Sequence, residues 1–222
     1  MQCNLLAKKR DVIEYPVEDT IDLSGWDIRK ALNLFRKSNP PLLEWLQSPI
    51  IYREDPHFVT PLRGLLSKYY SPRSCFFHYM QMARGNMRDY LKGDTVWTKK
   101  YFYILRPLLA CRWIEKTGDI VPMEFASLVE TCAPRGEFYD SLQALLRKKL
   151  SGDEMDQGPR IPIFHEFIDT ELARFESLNI LKTASGEPGI TALNQLMMSV
   201  VLYEDVCHPD PPLAEKDPVS SL

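Results

Sequence analysis

Apolar positions along this chain recur mostly three and four residues apart, the spacing that lays one stripe along an α-helix. Ile28, Ala31, Leu32 and Phe35 form such a stripe, with Asp27, Arg29, Lys30, Asn33, Arg36 and Lys37 around it. Ser24 is placed to cap this helix, with Asp27 three residues on as a shortened capping box. Asn39-Pro40 ends it, because the residue before a proline avoids the helical region. Pro41 then opens a short apolar helix over Leu42–Leu46. From His57 onward the pattern predicts helices over Pro61–Tyr70, Pro72–Leu91, Thr98–Lys116, Pro122–Cys132, Gly136–Leu150, Pro162–Leu178 and Thr191–Tyr203. On the second of these, Phe76, Met80, Ala83, Met87 and Leu91 share one side.

Strand signals are few. Val12, Ile13 and Tyr15 precede Pro16 and read as an edge strand or an extended arm. Thr20–Leu23 reads as a strand with Ile21 and Leu23 on one face and Asp22 on the other. Pro49–Tyr52 reads as a third short strand. Ser151–Arg160, SGDEMDQGPR, has the composition of a flexible linker. His208–Leu222 has four prolines and no apolar period, so it reads as a disordered tail. The fold class is therefore mostly α with a small β remnant (α+β). The expected organisation is 1–55, 56–206 with the linker at 151–160, and a tail at 207–222.

Composition narrows the partners more than the fold. At 222 residues, 45% hydrophobic and 26% charged, the chain is that of an ordinary globular protein of one or two domains. A formal net charge of −3 argues against a general nucleic-acid coat, though not against a local basic site. No apolar run approaches the ~20 residues of a membrane span. Met1–Arg10 lacks the apolar centre of a signal peptide, so a cytoplasmic location is expected. The five cysteines are dispersed without a CxxC pair and are expected as free thiols. The four histidines show neither i,i+4 nor zinc-finger spacing.

Candidate chemistry lies on the helices. On Thr98–Lys116, Lys99, Tyr103, Arg106, Ala110 and Trp113 follow one side at helical spacing. Pro107 lies within this helix and removes the hydrogen bond to the Tyr103 carbonyl. Two cations and a phenol beside that defect suit an anionic ligand. The alternative is that Lys99 is solvated and Arg106 pairs with a carboxylate at the edge of the core. A second polar stripe, His78, Gln81, Arg84 and Arg88, is either a solvated face or the other wall of a basic cleft. An arginine fork grips phosphate oxygens in pairs, whereas lysine acts as a point charge. Trp26, Trp45, Trp97 and Trp113 are expected in the core rather than as ligand platforms.

Three blocks carry a family resemblance: KRDVIE at Lys9–Glu14, SGWDIRKALNLFRKSNPPLLEWLQSPIIY at Ser24–Tyr52, and YFYILRPLLACRWIE at Tyr101–Glu115 with PMEF after it. Over roughly 8–178 the chain resembles the nucleotidyltransferases of the DNA polymerase beta superfamily, in the RNA-ligase-associated, RlaP-like group. The resemblance implies the last part of a small sheet-based nucleotidyltransferase core followed by a helical bundle. It implies transfer of a nucleoside monophosphate from an NTP to an acceptor hydroxyl: an RNA end, a protein or a small molecule. It also implies two magnesium ions ~3.5–4 Å apart, held by three carboxylates. In this superfamily a Gly-Ser turn and a DxD pair supply two of these acids, and a neighbouring strand supplies the third.

The chain departs from that pattern. Positions 1–21 hold no Gly-Ser turn with paired acids, and Glu18-Asp19 would point to opposite faces of a strand. Ile21-Asp22-Leu23 fits the context of the third acid, making Asp22 the candidate metal ligand and catalytic residue. Asp27 is the weaker candidate, because it serves better as a cap. Asp22 also has the simpler reading of a solvent-facing strand acid. The expectation is a truncated or diverged chain, inactive or nearly so in transfer. By the same resemblance, Lys99, Lys100, Tyr103 and Arg106 are expected to bind the nucleotide, with His78 and Arg84 as second choices. Two rival expectations are a non-catalytic nucleotide- or partner-binding helical module and a plain helical interaction protein.

Overall fold

The computed structural model describes residues 11–14, 23–152, 157–178 and 188–207, with backbone only over 203–207. It is mostly helical with two small two-stranded sheets, in line with the expected fold class. Asp22, the rest of Thr20–Asp22 and the tail 208–222 lie outside the described residues.

The first sheet pairs β1 (Val12–Glu14) with β2 (Ser24–Trp26) antiparallel, Val12 opposite Trp26. This corrects two expectations. Leu23 is not in a strand, and Ser24 is not a helix cap, because strand pairing runs through Ser24 to Trp26. The cap of α1 (Ile28–Arg36) is Asp27, whose carboxylate accepts from the Arg29 amide at 2.9 Å. Leu32 and Phe35 are the buried members of its stripe.

The break between α1 and α2 (Pro40–Trp45) is a packed corner. Asn39 caps α2 by accepting from Leu42 N, which puts Pro40 rather than Pro41 at the first helical position. Ser38 is 1% exposed and has φ of 51°, the left-handed region that L side chains avoid. Its hydroxyl donates to Tyr69 O at 2.7 Å and accepts from Ser71 N at 2.8 Å. The SNP triplet thus fastens this corner to the start of α5 (Pro72–Tyr90).

The expected strand at Pro49–Tyr52 does not form. The Ser48 hydroxyl donates to Ile50 O and accepts from Ile50 N, a local loop that competes with strand pairing. Tyr52 is left 97% exposed. The single helix expected over Pro61–Tyr70 is two, α3 (Pro56–Gly64) and α4 (Leu66–Tyr69). Asp55 caps α3 and Pro56 sits in its first turn, so the helix starts before Pro61.

The centre of the protein is α6 (Tyr101–Thr117), preceded by a 3₁₀ turn at Thr98–Lys100. Tyr101, Ile104, Leu105, Leu108, Leu109, Ala110 and Cys111 on it are fully buried. A helix apolar on nearly every side must be surrounded. Here α5, α7 (Phe125–Cys132) and α9 (Pro162–Ser177) do so, with α8 (Glu137–Leu150) packed on α9. The last helix, α10 (Thr191–Cys207), lies against α1 and α3. One buried core joins Leu32, Phe35, Leu42 and Leu43 to the later helices.

Part of the expected linker 151–160 is ordered. β4 (Gln157–Pro159) pairs antiparallel with β3 (Thr95–Trp97), while 153–156 lie outside the described residues. Of the tryptophans, all expected in the core, Trp26 and Trp113 pack against it, whereas Trp45 and Trp97 are exposed. Trp26 and Trp45 stack at 4.3 Å between ring centroids where β2 meets α2. Cys75, Cys111 and Cys132 are buried free thiols. Burial, with the nearby Glu44 carboxylate, pushes the Cys75 thiol up to about 12.

Candidate functional site

The β3–β4 ribbon holds the start of α6 in place. Arg160 N donates to Asp94 O at 3.1 Å, and its guanidinium donates to the carbonyls of Gly93 and Leu91. Ile161 N donates to the Tyr101 hydroxyl at 2.9 Å. A Cβ at Gly158 would stand 3.2 Å from the Thr98 hydroxyl oxygen, so the ribbon crosses the turn closely there. Lys99 and Lys100 leave this anchored turn in different directions. The Lys99 ammonium lies 5.7 Å from the Trp97 ring centroid. The Lys100 ammonium sits between two phenol rings, 4.1 Å from Tyr90 and 4.5 Å from Tyr103. That cation–π arrangement holds the Tyr103 ring rather than offering the charge outward.

Pro107 leaves the Tyr103 carbonyl without its helical donor. Asn86 of α5 supplies one, with Nδ2 at 3.3 Å from Tyr103 O and 2.8 Å from Met82 O. Beside this repair opens a half-open pocket of about 550 Å³. Met82 and Asn86 form one wall; Lys99, Phe102, Tyr103, Arg106 and Pro107 form the second. Lys149 and Gly152, at the end of α8, close the third side. The Lys149 ammonium lies 4.9 Å from the Phe102 ring centroid. Among the described residues, neither Lys99 nor Lys149 has a carboxylate at ion-pair distance.

Arg106 is different. Its Nη2 donates to Glu44 Oε2 at 2.8 Å and to Pro122 O at 3.3 Å. Glu44 Oε1 also accepts from the buried Tyr79 hydroxyl at 2.5 Å. Arg106 lines the pocket, but its charge is balanced by a carboxylate from α2. Burial, then the Glu44 charge, raises the Tyr79 phenol far above its ordinary value and keeps it protonated.

The second expected stripe does not line this pocket. Arg84 pairs with Glu176 of α9, and Arg88 with Asp89. His78 lines an adjoining cleft with Ser74, Phe77, Gln81 and Met82, the last shared with the pocket, and burial lowers its imidazole. The structure therefore brings together Lys99, Tyr103 and Arg106, sets Lys100 behind Tyr103, and places His78 and Arg84 elsewhere. Sequence reasoning missed Asn86 and Lys149. The signal for Asn86 was Pro107 itself, since a freed carbonyl requires a donor. For Lys149 it was the Arg147-Lys148-Lys149 run in the last turn of α8.

The described residues hold no complete magnesium site. Among the described residues, no three His, Cys, Asp or Glu side chains gather to hold a metal ion. Those residues by themselves do not fit the two-metal site that the family resemblance implies. No helix among them is long and apolar enough to cross a membrane.

A family model described as "RlaP: RNA repair pathway DNA polymerase beta family" matches residues 3–199. The chain belongs to that family. Membership points to nucleotidyltransferase-type function. The chain is also 45% identical over 197 residues to the "Uncharacterized protein YcgL" of Bacillus subtilis (strain 168), covering 88% of this chain and 75% of that protein. No solved structure matches.

Proposed function

We propose that this chain is the nucleotide-holding part of a polymerase-beta-type nucleotidyltransferase. In this reading the pocket between α5, α6 and the end of α8 receives the NTP. Lys99 and Lys149 meet the phosphates, Arg106 borders them with its charge offset by Glu44, and Tyr103 offers a ring held from behind by Lys100. The single observation that carries the reading is a pair of lysines, without an ion-pair partner among the described residues, across an aromatic-lined pocket of about 550 Å³. Two like charges facing one cavity repel unless an anion lies between them. By family, the reaction moves a nucleoside monophosphate to an acceptor hydroxyl as pyrophosphate leaves. Asp22 is the candidate metal acid, and the 222 residues hold no DxD pair to join it. The chain is therefore expected to bind NTP without turning it over.

Titration with a fluorescent NTP tests the binding. Lys99→Ala and Lys149→Ala are each expected to weaken it about fivefold to tenfold, the worth of one charge-assisted contact. Affinity unchanged in both variants would remove the pocket from the reading. Incubation with labelled NTP, magnesium and candidate acceptors tests the second part, with no transfer expected. Metal-dependent transfer that disappears in Asp22→Ala would overturn inactivity while assigning Asp22.

A further inference from the structure

The nucleotide reading leaves open which base the pocket takes, and Asn86 bears on that. An amide nitrogen has two donor hydrogens and its oxygen only accepts. Both neighbours of Asn86 Nδ2 are backbone carbonyls, Met82 O at 2.8 Å and Tyr103 O at 3.3 Å. Neither can donate, so the amide has one orientation that satisfies them, with its nitrogen turned toward both. That commits both donors. Asn86 Oδ1 has no hydrogen bond among the described residues and belongs to a residue lining the pocket. Pro107 thereby sets the chemistry of the wall: by freeing the Tyr103 carbonyl it uses up the second Asn86 donor and leaves a pure acceptor.

Tyr103 is the second element. Lys100 lies against its ring at 4.5 Å, yet the residue stays 53% exposed at the pocket. A fixed, exposed ring is a stacking platform for any base. A fixed acceptor beside it favours a base edge carrying an exocyclic amine over one carrying a carbonyl, because two acceptors face to face leave both unpaired.

Resting on the nucleotide reading above, we infer that Tyr103 stacks the base and Asn86 Oδ1 selects a 6-amino purine, adenine, over its 6-oxo counterpart, hypoxanthine. The test compares ATP, ITP and inorganic tripolyphosphate on the full chain and its variants. Wild type is expected to bind ATP about fivefold more tightly than ITP, the ratio one neutral hydrogen bond sustains. Asn86→Ala is expected to bring that ratio to about one. Tyr103→Leu is expected to weaken ATP and ITP alike and leave tripolyphosphate unchanged. Equal ATP and ITP binding by wild type, with both still weakened by Lys99→Ala, would overturn the base assignment and leave the pocket reading standing. Binding of neither nucleotide would remove both. The wild-type comparison needs no variant, so a poorly folding Asn86→Ala does not shield the inference.

Discussion

Glu44→Ala should unfold this protein more readily than its half-hidden position on α2 suggests. The Glu44 carboxylate joins three elements, accepting from Tyr79 of α5 at 2.5 Å and from Arg106 of α6 at 2.8 Å. Removing it leaves the Tyr79 hydroxyl, in a residue 3% exposed, without a partner. A buried hydroxyl that loses a charge-assisted bond costs about 1.5–3 kcal/mol. The ion-pair share is smaller. Breaking a fully buried pair costs about 3–5 kcal/mol and an exposed one about 0–1 kcal/mol. With side chains 26% and 16% exposed, Arg106 and Glu44 fall between these limits. Arg106 also keeps Pro122 O at 3.3 Å, so about 1 kcal/mol is reasonable. The sum, about 2.5–4 kcal/mol, corresponds to a fall in Tm of roughly 5–15 °C for a chain of this size. Urea denaturation of Glu44→Ala, Tyr79→Phe and the double variant measures it. Tyr79→Phe alone should cost about 1–1.5 kcal/mol, since Glu44 keeps Arg106. The double variant should cost less than the sum of the singles, because it removes the orphaned hydroxyl. A Glu44→Ala variant as stable as wild type, or strict additivity in the cycle, would refute the reasoning.

Two further tests address stability. Ser38→Ala removes both buried bonds at the SNP corner and should cost about 2–3 kcal/mol in urea denaturation. Ser38→Gly loses the same bonds but relaxes the φ of 51°, so it should be about 1 kcal/mol less damaging; Ala and Gly of equal cost would contradict the strain argument. The imidazoles of His78 and His165 are lowered by burial, and in His165 by Arg160 as well. A folded value below the unfolded one means that the unfolded chain takes up protons first. Stability is then full above the ordinary imidazole value of about 6.5 and is lost as pH falls through the lowered values. Urea midpoints at neutral and mildly acid pH should show that loss, and the double variant His78→Gln/His165→Gln should lose less; identical acid slopes would count against the assignment.

Much of the helical architecture was legible because α1 and α5 carry periodic stripes and α6 is apolar on nearly every side. The small strands were not. Gln157–Pro159 contains a glycine and a proline and lies within a polar run, so nothing local marks it; it is a strand because Thr95–Trp97 pairs with it. Pro49–Tyr52 has the apolar content of a strand and no pairing partner among the described residues. The site shows the same division. Lys99, Tyr103 and Arg106 were found because they share one helix face. Lys149 and Glu44 come from distant positions, and only packing shows that one adds charge to the pocket while the other balances the charge of Arg106. The pairing of Arg106 with a core-edge carboxylate was legible as an alternative, but its partner was not.

The β3–β4 pairing also bears on how the protein is made. The Tyr101 hydroxyl waits for the Ile161 amide, sixty residues later in the chain. At about 5–20 residues per second, synthesis takes about 3–12 s to cover that distance. Phe164 and Phe175 of α9, which meet Tyr101 and Phe76, arrive later still. During that interval α6, nine of whose side chains are buried in the finished protein, lacks the cover that α9 supplies. The start of α6, which bears the Lys99 and Tyr103 wall of the pocket, is therefore fastened only once Ile161 has been made.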